Sequence, residues 1–253
     1  MKKFIVSIDA GTTSNRSILF DINGKPIFSS QKEFTQYFPK SGWVEHDPDE
    51  IWRTTLKTLK EVIKKAKRLK GKILTIGITN QRETTVLWDK RTGKPVYKAI
   101  VWQDRRTEDF CKKLRKQNKD TTIFNKTGLL IDPYFSGTKI KWIIDNVPKA
   151  KQLINEKQLL FGTIDSYLIW KLTKGKVHAT DATNASRTMI YNISSNKWDD
   201  SILKLFKIPK YILPIVKDCS DDYGYTHSSY TGKPIPINGV VGDQQSATIG
   251  QCC

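Results

Sequence analysis

Phe4-Ile5-Val6-Ser7-Ile8-Asp9-Ala10-Gly11-Thr12-Thr13-Ser14-Asn15-Arg16-Ser17-Ile18-Leu19-Phe20-Asp21-Ile22-Asn23-Gly24 decides the fold. The apolar, β-branched run over residues 4–8 reads as a strand that ends at Asp9. Residues 11–14 turn, and residues 16–21 return as a second strand. Asn23-Gly24 between apolar runs is the strongest short hairpin signal, because a tight hairpin turn needs positive φ at its centre. A third strand over residues 26–34 follows, so the chain opens as a three-stranded meander.

Working outward, Asp47-Pro48-Asp49-Glu50 starts a helix. Asp47 takes the N-cap, Pro48 the first helical position, and Glu50 stands where it can close a capping box. The helix runs to about Leu69, with an apolar stripe of Trp52, Leu56, Leu59, Ile63 and Ala66 and its lysines turned to water. Strands over residues 73–79 and 84–89 flank a turn holding Arg82 and Glu83, and a further strand covers residues 96–102. Helical patterns lie at residues 105–115, 136–145, 164–172 and 200–206. A strand over residues 237–241, Gly242-Asp243, and a helix over residues 244–251 complete the pattern. This mixture predicts an α/β fold, and 253 residues can hold one large domain or two small ones.

The 253 residues are 38% hydrophobic, enough to build a core. Lys and Arg number 43 against 25 Asp and Glu, a net charge of +18 that invites a nucleic-acid reading. The lysines are spread along the chain and no nucleic-acid motif accompanies them, so no nucleic-acid partner is expected. Cys111, Cys219, Cys252 and Cys253 show no CxxC spacing, and His46, His178 and His227 stand apart, so no transition-metal site is expected. Residues 4–8 are too short for a signal-peptide core and no run reaches membrane-spanning length, which predicts a reducing, cytoplasmic setting without membrane contact.

Three segments carry candidate chemistry. Arg82 and Glu83, side by side between strands, can donate to and accept from neighbouring hydroxyls at once, which suits a small polyol. Asp9-Ala10-Gly11-Thr12-Thr13-Ser14-Asn15-Arg16 can wrap phosphate oxygens with amides and hydroxyls while Asp9 helps hold Mg²⁺ through water. It is neither a Walker loop nor a dinucleotide GxGxxG. Asp243, at a strand–helix junction, can take a proton from a substrate hydroxyl, with Gln244 fixing its orientation. Trp102 and Tyr134 fall in loops where either ring can wall a pocket. Plainer roles stay open for each: a surface ion pair, an ordinary hairpin, a helix N-cap, and core aromatics.

Five ordered segments together resemble the FGGY carbohydrate kinases of the actin/hexokinase/Hsp70 superfamily, and among them the glycerol kinases. They are Asp9-x-Gly11-Thr12-Thr13-Ser14-x-Arg16, Gly42-Trp43-Val44-Glu45-His46-Asp47-Pro48, Asn80-Gln81-Arg82-Glu83-Thr84, Tyr134-Phe135-Ser136-Gly137-Thr138-Lys139-Ile140-Lys141-Trp142, and Gly242-Asp243-Gln244-Gln245. The resemblance implies a ribonuclease H-like lobe with a mixed β-sheet flanked by helices, one substrate and phosphate-loop domain over residues 1–253, that phosphorylates glycerol to glycerol 3-phosphate with ATP and Mg²⁺. It implies glycerol contacts from Arg82, Glu83, Trp102, Tyr134, Asp243 and Gln244, with Asp243 as general base. Thr12, Thr13, Ser14 and Arg16 would hold the nucleotide's phosphates, and Asp9 the metal. It also implies a second, C-terminal lobe absent from this chain and a homo-oligomer in the full enzyme. This chain alone is therefore expected to bind glycerol weakly and to transfer phosphate poorly. A sibling FGGY sugar kinase and a one-lobed polyol-binding or regulatory protein are the alternatives.

Overall fold

In the computed structural model, which describes residues 1–252, side-chain alternation builds the first sheet; Cys253 lies outside the described residues. On the strand Lys2–Ala10, Phe4, Val6, Ile8 and Ala10 point into the core while Ile5 is exposed. It pairs antiparallel with Ser14–Asp21, which pairs antiparallel with Pro26–Glu33. The expected meander is therefore present. Gly24, at φ +80°, makes the turn between the second and third strands as Asp21 N donates to Lys25 O.

Gly71–Asn80 joins the other edge of Lys2–Ala10 in parallel, and Ile237–Gly242 joins Gly71–Asn80 in parallel. The five-stranded mixed sheet thus runs Ile237–Gly242, Gly71–Asn80, Lys2–Ala10, Ser14–Asp21, Pro26–Glu33. The helix Pro48–Arg68 covers one face with Ile51, Trp52, Leu59, Val62, Ile63 and Ala66 buried. Its threonines meet small polar residues of the second strand: Asn15 Nδ2 donates to Thr54 Oγ1 at 2.6 Å, and Ser17 and Thr58 hydroxyls lie 2.9 Å apart. Asp47 caps the helix by accepting from the amides of Asp49 and Glu50. Glu50 closes no box; its Oε1 accepts from Thr35 instead.

The two strands expected around the Arg82-Glu83 turn part company. After Asn80 the chain leaves the sheet, and Val86–Asp89 pairs antiparallel with Leu159–Gly162. Both are buried along their whole length. Val86, Trp88 and Leu160 enter the core under the main sheet, whereas Leu87, Leu159 and Phe161 enter a second core around the helix Ser136–Asn146. This ribbon is a partition between two cores, which explains its unbroken apolar character. The expected strand over residues 96–102 shortens to Ala99–Ile100, paired with Glu45–His46. The helices Asp120–Thr127 and Pro148–Asn155 escaped the pattern reading, as did the one-turn helices Ala182–Ala185 and Ser228–Thr231. Among the described residues no helix is long and apolar enough to cross a membrane.

Candidate active site

Three neighbouring parallel strands end in one register. Ala10 lies opposite Asn80, and Asn80 opposite Gly242. The chain leaves each of these ends carrying one of the candidate segments, at the carboxyl edge where open α/β sheets place ligands. The sheet therefore gathers the Asp9 loop, Arg82-Glu83 and Asp243, which lie far apart in sequence.

At the first strand end, Gly11 N donates to Ser14 O at 3.0 Å and closes the turn. Gln81 Nε2 donates to Gly11 O at 2.9 Å, and Trp102 Nε1 to Thr12 Oγ1 at 3.1 Å, so both the loop backbone and its hydroxyl are braced. Gln81 in turn contacts His46, whose imidazole burial lowers to about pH 4, and which also bonds Gln36. Thr13 stands exposed at the tip. Burial raises the Asp9 carboxyl, Arg16 beside it lowers it, and the Asp243 charge raises it again. A hard, hydrated cation placed here would relieve that repulsion, so Asp9 fits a water-mediated Mg²⁺ contact. Among the described residues no group of three or more His, Cys, Asp or Glu could hold a metal.

At the other two strand ends the charges interlock. Arg82 Nε donates to Asp243 Oδ1 at 3.1 Å and its Nη1 to Gln245 Oε1 at 3.3 Å. The Arg82 side chain is 4% exposed and that of Asp243 46%, so the pair leaves its carboxylate open to solvent. A Cβ on Gly242 would come within 2.4 Å of Arg82 Cδ, which is why a glycine precedes the aspartate. The Gly242 amide hangs on Thr183 Oγ1 at 2.8 Å, and that hydroxyl donates to the buried Asp181. Gly242, not Asp243, is the N-cap of the helix Asp243–Gly250.

Glu83 sits at φ +61° in a tight three-residue turn closed by Thr84 N on Arg82 O at 2.7 Å, a strained conformation for a residue with a Cβ. Ser136 Oγ and Thr85 Oγ1 both donate to its carbonyl and hold the turn. Its carboxylate is buried and accepts from Arg187 Nε at 2.6 Å. Trp102 and Tyr134 face each other with ring centroids 5.5 Å apart. The buried Lys139 bonds the Tyr134 carbonyl from below.

Residues 4–250 match the model of the FGGY family of carbohydrate kinases, N-terminal domain. The chain belongs to this family. It is 59% identical over its whole length to a glycerol kinase of Malacoplasma penetrans, and 57% to one of Rhizobium meliloti. It spans about half the length of these curated relatives, 50% and 51% respectively. A crystal structure of Plasmodium falciparum glycerol kinase with ADP superposes with a TM-score of 0.95 at 40% identity, covering 99% of this chain and 50% of that one.

Within this FGGY domain the structure brings Arg82, Glu83, Trp102, Tyr134 and Asp243 together, with Asp9 and Thr12 alongside. Ser14 Oγ is held by Gln31, and Arg16 acts on Asp9 across the hairpin. Gln244 is exposed, and it is Gln245 that touches Arg82. Sequence reasoning missed Arg187 and Thr183, which reach the site from the Asp181–Thr188 segment. Nothing local marks that segment as close to residue 83.

Proposed function

We propose that this chain is the polyol- and phosphate-binding half of an ATP-dependent glycerol kinase, one that forms glycerol 3-phosphate in the cytoplasm. The observation that carries the reading is the Arg82–Asp243 pair, buried at its guanidinium and open at its carboxylate, beside the buried Glu83. Identity of 59% to a glycerol kinase supports the choice of substrate. Absence of a spanning helix among the described residues and the free thiols of Cys111, Cys219 and Cys252 are compatible with that setting.

In this mechanism Arg82 and Glu83 bind glycerol hydroxyls, with Trp102 and Tyr134 against its carbons. Asp243 accepts the proton of a terminal hydroxyl as that oxygen forms a bond to the γ-phosphorus. The bond from phosphorus to the β,γ-bridging oxygen breaks, ADP leaves, and the proton passes from Asp243 to water. Thr12, Thr13, Ser14 and Arg16 orient phosphate oxygens, and Asp9 would hold Mg²⁺ through water; the ion supplies charge neutralisation on the phosphates. Such transfer depends on positioning and electrostatics. We assign the adenine contacts to the part of the relatives' length that this chain does not match, and residues 1–253 to a single substrate and phosphate-loop domain.

The test is ADP release with MgATP and glycerol, xylulose or ribulose. Joined to the unmatched half of a relative, the domain should turn over glycerol fastest. A faster rate on either pentulose would overturn the substrate assignment. Turnover of ~1–100 s⁻¹ by this chain alone would overturn the division of labour.

A further inference from the structure

Arg187 is bound to Glu83 across 104 positions of sequence and has no part in the chemistry above. It projects from the short 3₁₀ turn Ser186–Thr188, after which Met189 at φ +63° turns the chain away. Its guanidinium lies 4.9 Å from the ring centre of Phe135 and 5.7 Å from that of Tyr134. On its far side is a cavity of about 680 Å³, walled by Leu129, Leu130, Ile131, Tyr134, Phe135 and Arg187 itself. Glu83 does not line that cavity, whereas Arg187 and Tyr134, which both neighbour Glu83, do.

Charged and titratable groups face Glu83 on every side. Burial pushes its carboxyl up, and Arg187, Arg82 and Lys139 pull it back. The Tyr134 phenol, itself raised by burial and by the Glu83 charge, is a further neighbour. Arg82 commits Nε and Nη1 to Asp243 and Gln245, and Lys139 commits its amine to the Tyr134 carbonyl. Direct hydrogen bonding to the carboxylate therefore falls to Arg187.

We infer that Arg187 is a positioning and specificity-determining residue, holding the Glu83 carboxylate as a polyol acceptor and closing the polyol pocket against the adjoining cavity. The inference rests on the proposed polyol site. A short polyol fits beside Glu83 short of Arg187; a longer one needs the space that Arg187 occupies.

Two readouts on this chain test it, in wild type, Arg187→Met and Arg187→Lys. The first is titration of the Glu83 carboxyl carbon by NMR, which needs no ligand. It should move to higher pH in Arg187→Met and largely return in Arg187→Lys; an unmoved titration in a Met variant that melts like wild type overturns the inference. The second is the affinity for glycerol, erythritol and xylitol against pH. Loss of a charge-assisted bond should weaken glycerol by about 10- to 100-fold in Arg187→Met. The acid limb of its binding should move to higher pH, and the preference for glycerol over the longer polyols should narrow. An unchanged preference overturns the wall. If Arg187→Met does not fold, Arg187→Lys decides: it keeps the charge and loses the fork, so values identical to wild type in both readouts overturn the inference. A wild-type chain that binds none of the polyols refutes the polyol site, while the Glu83 titration still decides whether Arg187 holds that carboxylate.

Discussion

Two arginines in this domain pair with carboxylates and end in opposite states. The Arg106 side chain is wholly buried, with Glu45 and Asp104 each 2.8 Å from its Nη2 and the Trp43 and Trp142 ring centres 3.7 and 4.7 Å from its guanidinium carbon. Tyr97 donates to Glu45, and Asp104 accepts from the Val44 amide. Burial disfavours the Arg106 charge, and its partners more than compensate, holding the guanidinium above its usual value. Arg82 is nearly as hidden, yet its partner Asp243 is half-exposed and open to solvent. A satisfied ion cluster offers a ligand nothing and serves as architecture. A pair left open on one side keeps an acceptor available, and that asymmetry marks the site.

The comparison is broken most forcefully at Asp243. In a protein joined to a relative's second half, Asp243→Asn should lower kcat by ~10²–10⁴-fold while glycerol affinity stays nearly unchanged. A variant retaining most of its rate would remove Asp243 from the role of base. Arg106→Met should act on stability instead: stranding Asp104 and Glu45 in the interior costs about 3–5 kcal/mol, read from urea unfolding. An unshifted midpoint would place the Arg106 cluster outside the architecture. Arg82→Ala should weaken glycerol by about 10- to 100-fold in calorimetry, with a smaller loss of stability because Asp243 can hydrate. Unchanged affinity would erase the contrast between the two arginines.

A separate effect is expected with pH. Asp165 is buried beside Asp181, and burial lifts its carboxyl from 3.8 to about 7. Its folded form favours the proton, so its contribution is full below the ordinary carboxylate value and is lost as pH rises from about 4 to about 7. Asp165→Asn should flatten that part of the urea midpoint's pH dependence; an identical slope would contradict the assignment.

Legibility in the sequence follows the range of each interaction. The Asn23-Gly24 turn and the Asp47-Pro48 helix start are local, and both stand where the sequence puts them. Val86–Asp89 pairs with a strand some seventy positions away and is buried on both faces, so neither neighbours nor alternation could place it. Arg82, Glu83 and Asp243 were readable because each sits beside a strand end. The sequence points to Gln244 as the residue that orients Asp243; the helix begins at Asp243, and its phase leaves Gln244 exposed and turns Gln245 toward Arg82, a contact that the sequence does not show. Arg187 depends on a contact across 104 positions, which no local pattern encodes.

The most direct measurement is a glycerol titration of the chain followed by the ¹⁵N side-chain signals of Arg82 and Arg187, whose Nε–H groups bond Asp243 and Glu83. The account predicts that both signals shift in step and saturate, while that of Arg106 stays still. Saturable binding that leaves Arg82 and Arg187 unmoved would contradict it.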